Sequence, residues 1–240
     1  MIKDFDLLQR ANNDYTTIDL EHAEELAYRE LIDSIRYIPL GDECGVMGNI
    51  ANIITYKGRF YIQEEQFDRV FIYDDTGRCL KKIDNKGRGP GEYLRIESID
   101  INTEKEELML VDGMSDKLFF YDLDGNFKSI HSIRYFQTEN TLCLRDSVFL
   151  HISAPSQNFG NEGLYGYALV LSKGNENFLK GYRYLPLQVG YKGGGQIFKG
   201  YERSCYHPIY SDTIYQILSD TTYGPIFYFK IKNSSWEKYH

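Results

Sequence analysis

Two stretches of this chain can be laid over one another without a gap. Arg59-Phe60-Tyr61-Ile62, Asp68-Arg69-Val70-Phe71-Ile72-Tyr73-Asp74 and Gly77 correspond to Glu107-Leu108-Met109-Leu110, Asp116-Lys117-Leu118-Phe119-Phe120-Tyr121-Asp122 and Gly125. The offset is 48 residues throughout (121 − 73). A further echo, Asp212-Thr213-Ile214-Tyr215, lies three periods on (212 − 68 = 144), and a middle copy near Tyr167 to Leu171 is displaced by a longer loop. Each unit reads as four short strands, in the first Ile50–Tyr56, Arg59–Gln63, Arg69–Asp74 and Cys79–Ile83, with hairpin turns at Lys57-Gly58 and Asp74 to Gly77. A four-stranded antiparallel sheet cannot bury both of its faces alone. Sheets repeated at this period therefore pack face to face about an axis, which predicts an all-β chain folded as a β-propeller rather than a solenoid.

Composition agrees: aromatics are 15% of 240 residues, with 21 Tyr, 14 Phe and 21 Gly, the mixture that short strands and tight turns require. A net charge of −8 without a cluster of Lys and Arg excludes nucleic acid as a partner and disfavours anionic lipid surfaces. No apolar run approaches the length of a membrane span, and the first twenty residues contain no apolar core of a signal peptide, so the chain reads as soluble. Cys44, Cys79, Cys143 and Cys205 show neither paired nor metal-ligand spacing and read as free, buried thiols. Residues 1–34 form an extension with a short helix between Leu20 and Ile35; residues 35–240 form the propeller domain, opening with a strand from Ile35 to Leu40.

Gly87-Arg88-Gly89-Pro90-Gly91-Glu92-Tyr93, together with Ile35-Arg36-Tyr37-Ile38-Pro39-Leu40, Ser211-Asp212-Thr213-Ile214-Tyr215 and Pro225, resembles the signature of a six-bladed, NHL-like β-propeller family of mostly lipid-anchored envelope proteins of gut bacteria. The resemblance spans roughly residues 17–231 and implies a periplasmic or outer-membrane location. It also implies six blades, whereas the 198 residues from Glu43 to His240 hold about four units of 48. An incomplete ring would leave the apolar strand Ile226–Ile231 without a neighbour, and an uncovered edge of that kind predicts a homo-oligomer.

Three regions are candidates for a site. In the loop between the first two units, Arg88, Glu92 and Tyr93 sit among three glycines whose N–H groups could face an anion, while the structural alternative has Tyr93 packing and Glu92 capping the loop. Recurrent acids, Glu64 with Asp112 and Asp68 with Asp116 and Asp212, would suit a divalent cation such as calcium if they converge on a channel; the alternative is that each caps its own hairpin. The insertion Ser153 to Gly166 and the glycine run after Tyr191 break the repeat, and Phe159, Tyr165 and Tyr191 would give an aromatic rim for a glycan or peptide. None of the five histidines has metal or nucleophile spacing, and no catalytic residue is assigned. The pattern points to a non-enzymatic binding or scaffold protein of the bacterial envelope, with a metal-dependent hydrolase or lyase using channel carboxylates as the alternative.

Overall fold

A computed structural model describes residues 6–7, 9–11, 14–22, 30, 32–133, 137–145, 147–153, 158, 166–174, 177–183, 195–199, 203–208, 211–218 and 222–230. Three short strands come first: β1 (Asp6–Leu7), β2 (Gln9–Arg10) and β3 (Thr16–Asp19). The first blade holds β4 (Ile50–Tyr56), β5 (Arg59–Glu64), β6 (Arg69–Asp74) and β7 (Cys79–Ile83). The second holds β8 (Ser98–Asn102), β9 (Glu107–Asp112), β10 (Lys117–Asp122) and β11 (Phe127–Ser132). The third holds β12 (Asn140–Arg145), β13 (Val148–Ile152), β14 (Tyr167–Lys173) and β15 (Asn177–Arg183). The fourth holds β16 (Gln196–Lys199), β17 (Ser204–His207), β18 (Thr213–Ile217) and β19 (Thr222–Lys230). Each blade is an antiparallel sheet in sequence order, and the four stand in a ring as a four-bladed β-propeller.

The 48-residue period is the blade itself: every strand of the second blade starts 48 residues after its counterpart in the first (98 − 50, 107 − 59, 117 − 69 and 127 − 79). The first hairpin has two residues in the first blade and four in the second, while the turn after the third strand repeats. Lys57 and Gly58 both take positive φ (48° and 70°), as a two-residue hairpin requires. At the next turn Asp74 accepts the N–H groups of Thr76 and Arg78 at 3.0 Å each, and Asp122 accepts those of Asp124 and Asn126 at 3.0 and 2.8 Å. A short polar side chain that bonds its own turn fixes the strand ends on either side.

Apolar side chains seal the seams between blades. Tyr61, Val70 and Ile72 of the first blade meet Ile99, Leu108 and Phe119 of the second. Met109, Val111 and Phe120 meet Phe149 and Val170 of the third, whose Leu150, Leu169 and Leu171 meet Tyr206, Tyr215 and Tyr223 of the fourth. The remaining face of the first blade, with Ile62, Phe71 and Tyr73, is covered by Cys44 and Met47 from the segment ahead of β4.

The N-terminal segment departs from the sequence reading in four respects. Leu20–His22 is a single 3₁₀ turn, and residues 23–29 of the expected helix lie outside the described residues. Ile35 to Leu40 is not a strand. It runs along the first blade without a ladder, tied by Arg36 Nη2 to the Asp75 carbonyl at 2.8 Å and followed by the Gly41 N–H to the Gly77 carbonyl at 2.8 Å. Cys44 and Cys79 are joined in a disulfide, while Cys143 and Cys205 are free and buried. The edge at Ile226 is not bare, because β3 pairs with β19 in parallel from Phe227↔Thr16 to Lys230↔Asp19, β2 pairs with the start of the same strand, and β1 pairs in parallel with β15. Ile231 lies outside the described residues.

Candidate functional site

Antiparallel order places the hairpins between second and third strands, and the connections between blades, on one face of the ring. The Glu97 N–H donating to the Val111 carbonyl at 2.8 Å shows the two kinds of loop meeting there. Every site region expected from sequence belongs to a loop leaving strand ends on this face. Phe159, Tyr165 and Tyr191 themselves lie outside the described residues. Within the insertion Asn158 is described, and it accepts the Gln137 N–H at 2.7 Å and donates to the Gln137 carbonyl at 3.2 Å, which anchors the third blade's hairpin to the connection before it.

The glycine-rich loop is built around Glu92 and Tyr93. Glu92 accepts the Gly89 N–H at 2.7 Å, and a Cβ on Gly87 would stand 1.9 Å from the same carboxylate, so a side chain there would push Glu92 out of its place in the loop. Tyr93 is fully buried; its ring packs edge-on against Phe119 at 6.0 Å, and its hydroxyl donates to the Asp68 carbonyl at 2.8 Å and accepts the Asn85 N–H at 3.2 Å. Burial holds the Tyr93 phenol well above its ordinary range. Tyr93 therefore supports the loop from beneath, and Arg88 and Glu92 are its exposed charged groups. Among the described residues Arg88 has no hydrogen-bond or ion-pair partner.

The recurrent acids divide into two roles. Glu64 and Asp112 bond within their own hairpins: Glu64 accepts the Phe67 N–H at 3.3 Å and pairs with Arg69 at 3.0 Å, and Asp112 accepts the Met114 and Ser115 N–H groups at 3.0 and 3.2 Å. Asp68 does not cap its hairpin as the sequence alternative had it. It reaches across the seam to accept the Ile96 N–H at 3.1 Å and pairs with Lys86, while Asp112 accepts the Leu94 N–H at 2.7 Å. The connection at residues 94–96 is thus held by a carboxylate from each of the two blades it joins. Asp116, like Asp68, has positive φ (53° and 56°). Glu97 stands among these groups, its carboxyl raised above the usual range by burial and by Asp68, Asp112 and Glu139, against Arg95 at 3.2 Å. Asp116 is raised for the same first reason, with Asp112 adding to it.

The interior of the ring carries two polar clusters that sequence reasoning missed. Lys199 on the innermost strand β16 donates to the carbonyls of Cys143 on β12 at 2.7 Å and Ile101 on β8 at 2.9 Å, with Asp100 at 3.5 Å. Asp100 also accepts the Cys143 N–H at 2.7 Å, and burial raises its carboxyl. One ammonium therefore fastens three inner strands. His151, fully buried on β13, lies between Thr141 Oγ1 at 2.9 Å and Ser172 Oγ at 2.7 Å, and burial lowers its imidazole to about 3. An acid inside the alternating strand Ser98–Asn102 and a lysine inside Gln196–Lys199 were the available signals, but neither discloses its partner.

Among solved structures, the chain is similar to a protein of Bacteroides fragilis classed as exported, with a TM-score of 0.77 at 20% identity, covering 90% of this chain and 61% of that one. It is also similar to U3-55K, with a TM-score of 0.50 at 9% identity, covering 74% of this chain and 51% of that one. The chain thus spans between half and two thirds of the length of these structures, and the likeness is one of fold. No match is found among curated proteins. Among the described residues no helix is long and apolar enough to cross a membrane. A family model described as a domain of unknown function (DUF4934) matches residues 15–240, all four blades and nearly the whole chain, and the chain belongs to that family.

Proposed function

We propose that this propeller is a non-enzymatic binding or scaffold protein of the bacterial cell envelope, taking a peptide or glycan on its loop face. Arg88 and Glu92 supply exposed charge there and Tyr93 supports them, while Phe159, Tyr165 and Tyr191 are the aromatic candidates that the sequence offers. The observation that carries the reading is the engagement of the ring's interior by its own groups. Asp100 is held by Lys199 and by the Cys143 N–H, and His151 is held by two hydroxyls, so the polar groups at the centre serve the fold and binding falls to the loops. The disulfide supports a location outside the cytoplasm, since such bonds persist in oxidising compartments, and the exported protein of similar fold supports it too.

The competing hydrolase reading requires a cation among the carboxylates Asp68, Glu97, Asp112 and Asp116. Thermal unfolding with calcium, magnesium or manganese chloride separates the two, because a ligand that binds only the folded state raises the midpoint. We expect no midpoint rise with any of the three salts, and a soluble glycan or peptide panel in which binding is lost on Arg88→Ala or Tyr165→Ala. A saturable rise with one cation, abolished by Glu97→Gln, would overturn the non-enzymatic reading.

A further inference from the structure

The chain covers its own outer edges unequally. An outermost strand exposes one row of backbone N–H and C=O groups, and native proteins cover such rows or guard them with charge. Here β15 is extended by β1, and β19 by β2 and β3. On β7 the disulfide holds Cys79 to Cys44, Glu43 accepts the Cys79 N–H at 3.2 Å, and Lys81 and Lys82 stand on the rest of the strand. Among the described residues β11 alone has neither a strand nor a strap on its free margin.

That margin is also weakly guarded. β11 reads Phe127-Lys128-Ser129-Ile130-His131-Ser132, with Phe127 46% and Ile130 36% exposed. Its lysine pairs back across the sheet with Glu107 on β9. The Phe127 ring lies beside Gly91 of the glycine-rich loop, 4.0 Å from where a Cβ would stand, so the edge adjoins the loop that carries the exposed Arg88.

We propose that β11 is a strand-addition edge that recruits an extended segment of another polypeptide, one that carries both apolar and acidic side chains. The proposal rests on the binding reading above and names the class of partner. The chain's own precedent carries it: the acidic segment from Asp14 to Leu20 adds to β19 as β3, with Asp19 meeting Lys230 at 3.2 Å. The same chemistry is on offer at β11, where backbone groups give affinity, Phe127 and Ile130 receive apolar side chains, and Arg88 receives a carboxylate.

The probe is a fluorescein-labelled peptide of the sequence Asp-Tyr-Thr-Thr-Ile-Asp-Leu, residues 14–20 of this chain, followed by anisotropy against the intact protein. We expect saturable binding that weakens about tenfold or more on Ile130→Lys or Phe127→Lys, both exposed positions, and is unchanged by Leu80→Lys on β7. A peptide with lysine in place of both aspartates should bind less well, and hydrogen exchange should slow at β11 amides when the acidic peptide is present. Circular dichroism and the unfolding midpoint confirm that each variant is folded. Binding that persists in both β11 variants places the peptide elsewhere and overturns the proposal, as does no binding to the folded wild type at millimolar peptide. Self-association that disappears in Ile130→Lys would show a second copy on the edge and also overturns it. The glycan and peptide panel is repeated on Ile130→Lys, so loss of loop-face binding and loss of strand addition are read as separate outcomes.

Discussion

His151 sets the acid tolerance of the third blade. Its folded pKa of about 3 lies below the ordinary 6.5, so the unfolded chain takes up a proton that the folded chain refuses. The group is neutral in both states above pH 6.5. As pH falls from 6.5 towards 3 stability is lost, by about 1.4 kcal/mol for each unit. We expect urea midpoints to fall over this window in the wild type and to fall less steeply in His151→Gln, which keeps one donor and one acceptor between Thr141 and Ser172. Equal slopes for the two proteins would show that other groups control the acid limb. No role for His151 was legible in the sequence, because its partners lie 10 and 21 residues away on neighbouring strands.

Among the elements, the segment ahead of β4 does what a packed neighbour does for the other faces, and its disulfide holds it there. Cross-linking residues 35 apart in sequence restricts the unfolded chain, for a stabilisation of about 3–4 kcal/mol. Reduction, or Cys79→Ala, should lower stability by an amount of that order and increase binding of a hydrophobic dye as Ile62, Phe71 and Tyr73 lose their cover. A reduced protein that unfolds at the same denaturant concentration would refute this role. The pairing was not legible in the chain. Cys44 meets Cys79 because Tyr73, Gly77 and Asp75 hold residues 36–41 against the first blade, and those contacts span 32 to 39 residues. Strands β5, β6, β9 and β10 were legible because their apolar residues, turn aspartates and glycines all recur at one offset. Ile35 to Leu40 has strand composition without a partner strand, and composition alone does not form a ladder.

For the molecule as a whole, the period disclosed four blades, and the fourth was legible at three times 48 through Asp212-Thr213-Ile214-Tyr215, of which Thr213–Tyr215 lie in β18. The destination of the N-terminus was not legible, since β1, β2 and β3 are two to four residues long and carry no repeat. Deleting residues 1–22 should leave the first two blades intact while speeding hydrogen exchange in β19 and promoting aggregation with rising concentration. Unchanged exchange at Phe227 to Lys230 would refute that expectation. The glycine-rich loop was visible in the sequence as a motif, but Glu97 was not, because its counterpart one period earlier is Asn49.

The pairing of β3 with β19 also fixes an order of events. Asp19 and Lys230 are 211 residues apart, and at about 5–20 residues per second a ribosome takes about 10–40 s to make the second after the first. The segment that carries β3 is therefore made well before the strand it joins, and the newborn chain must keep it unpaired until the fourth blade has been made.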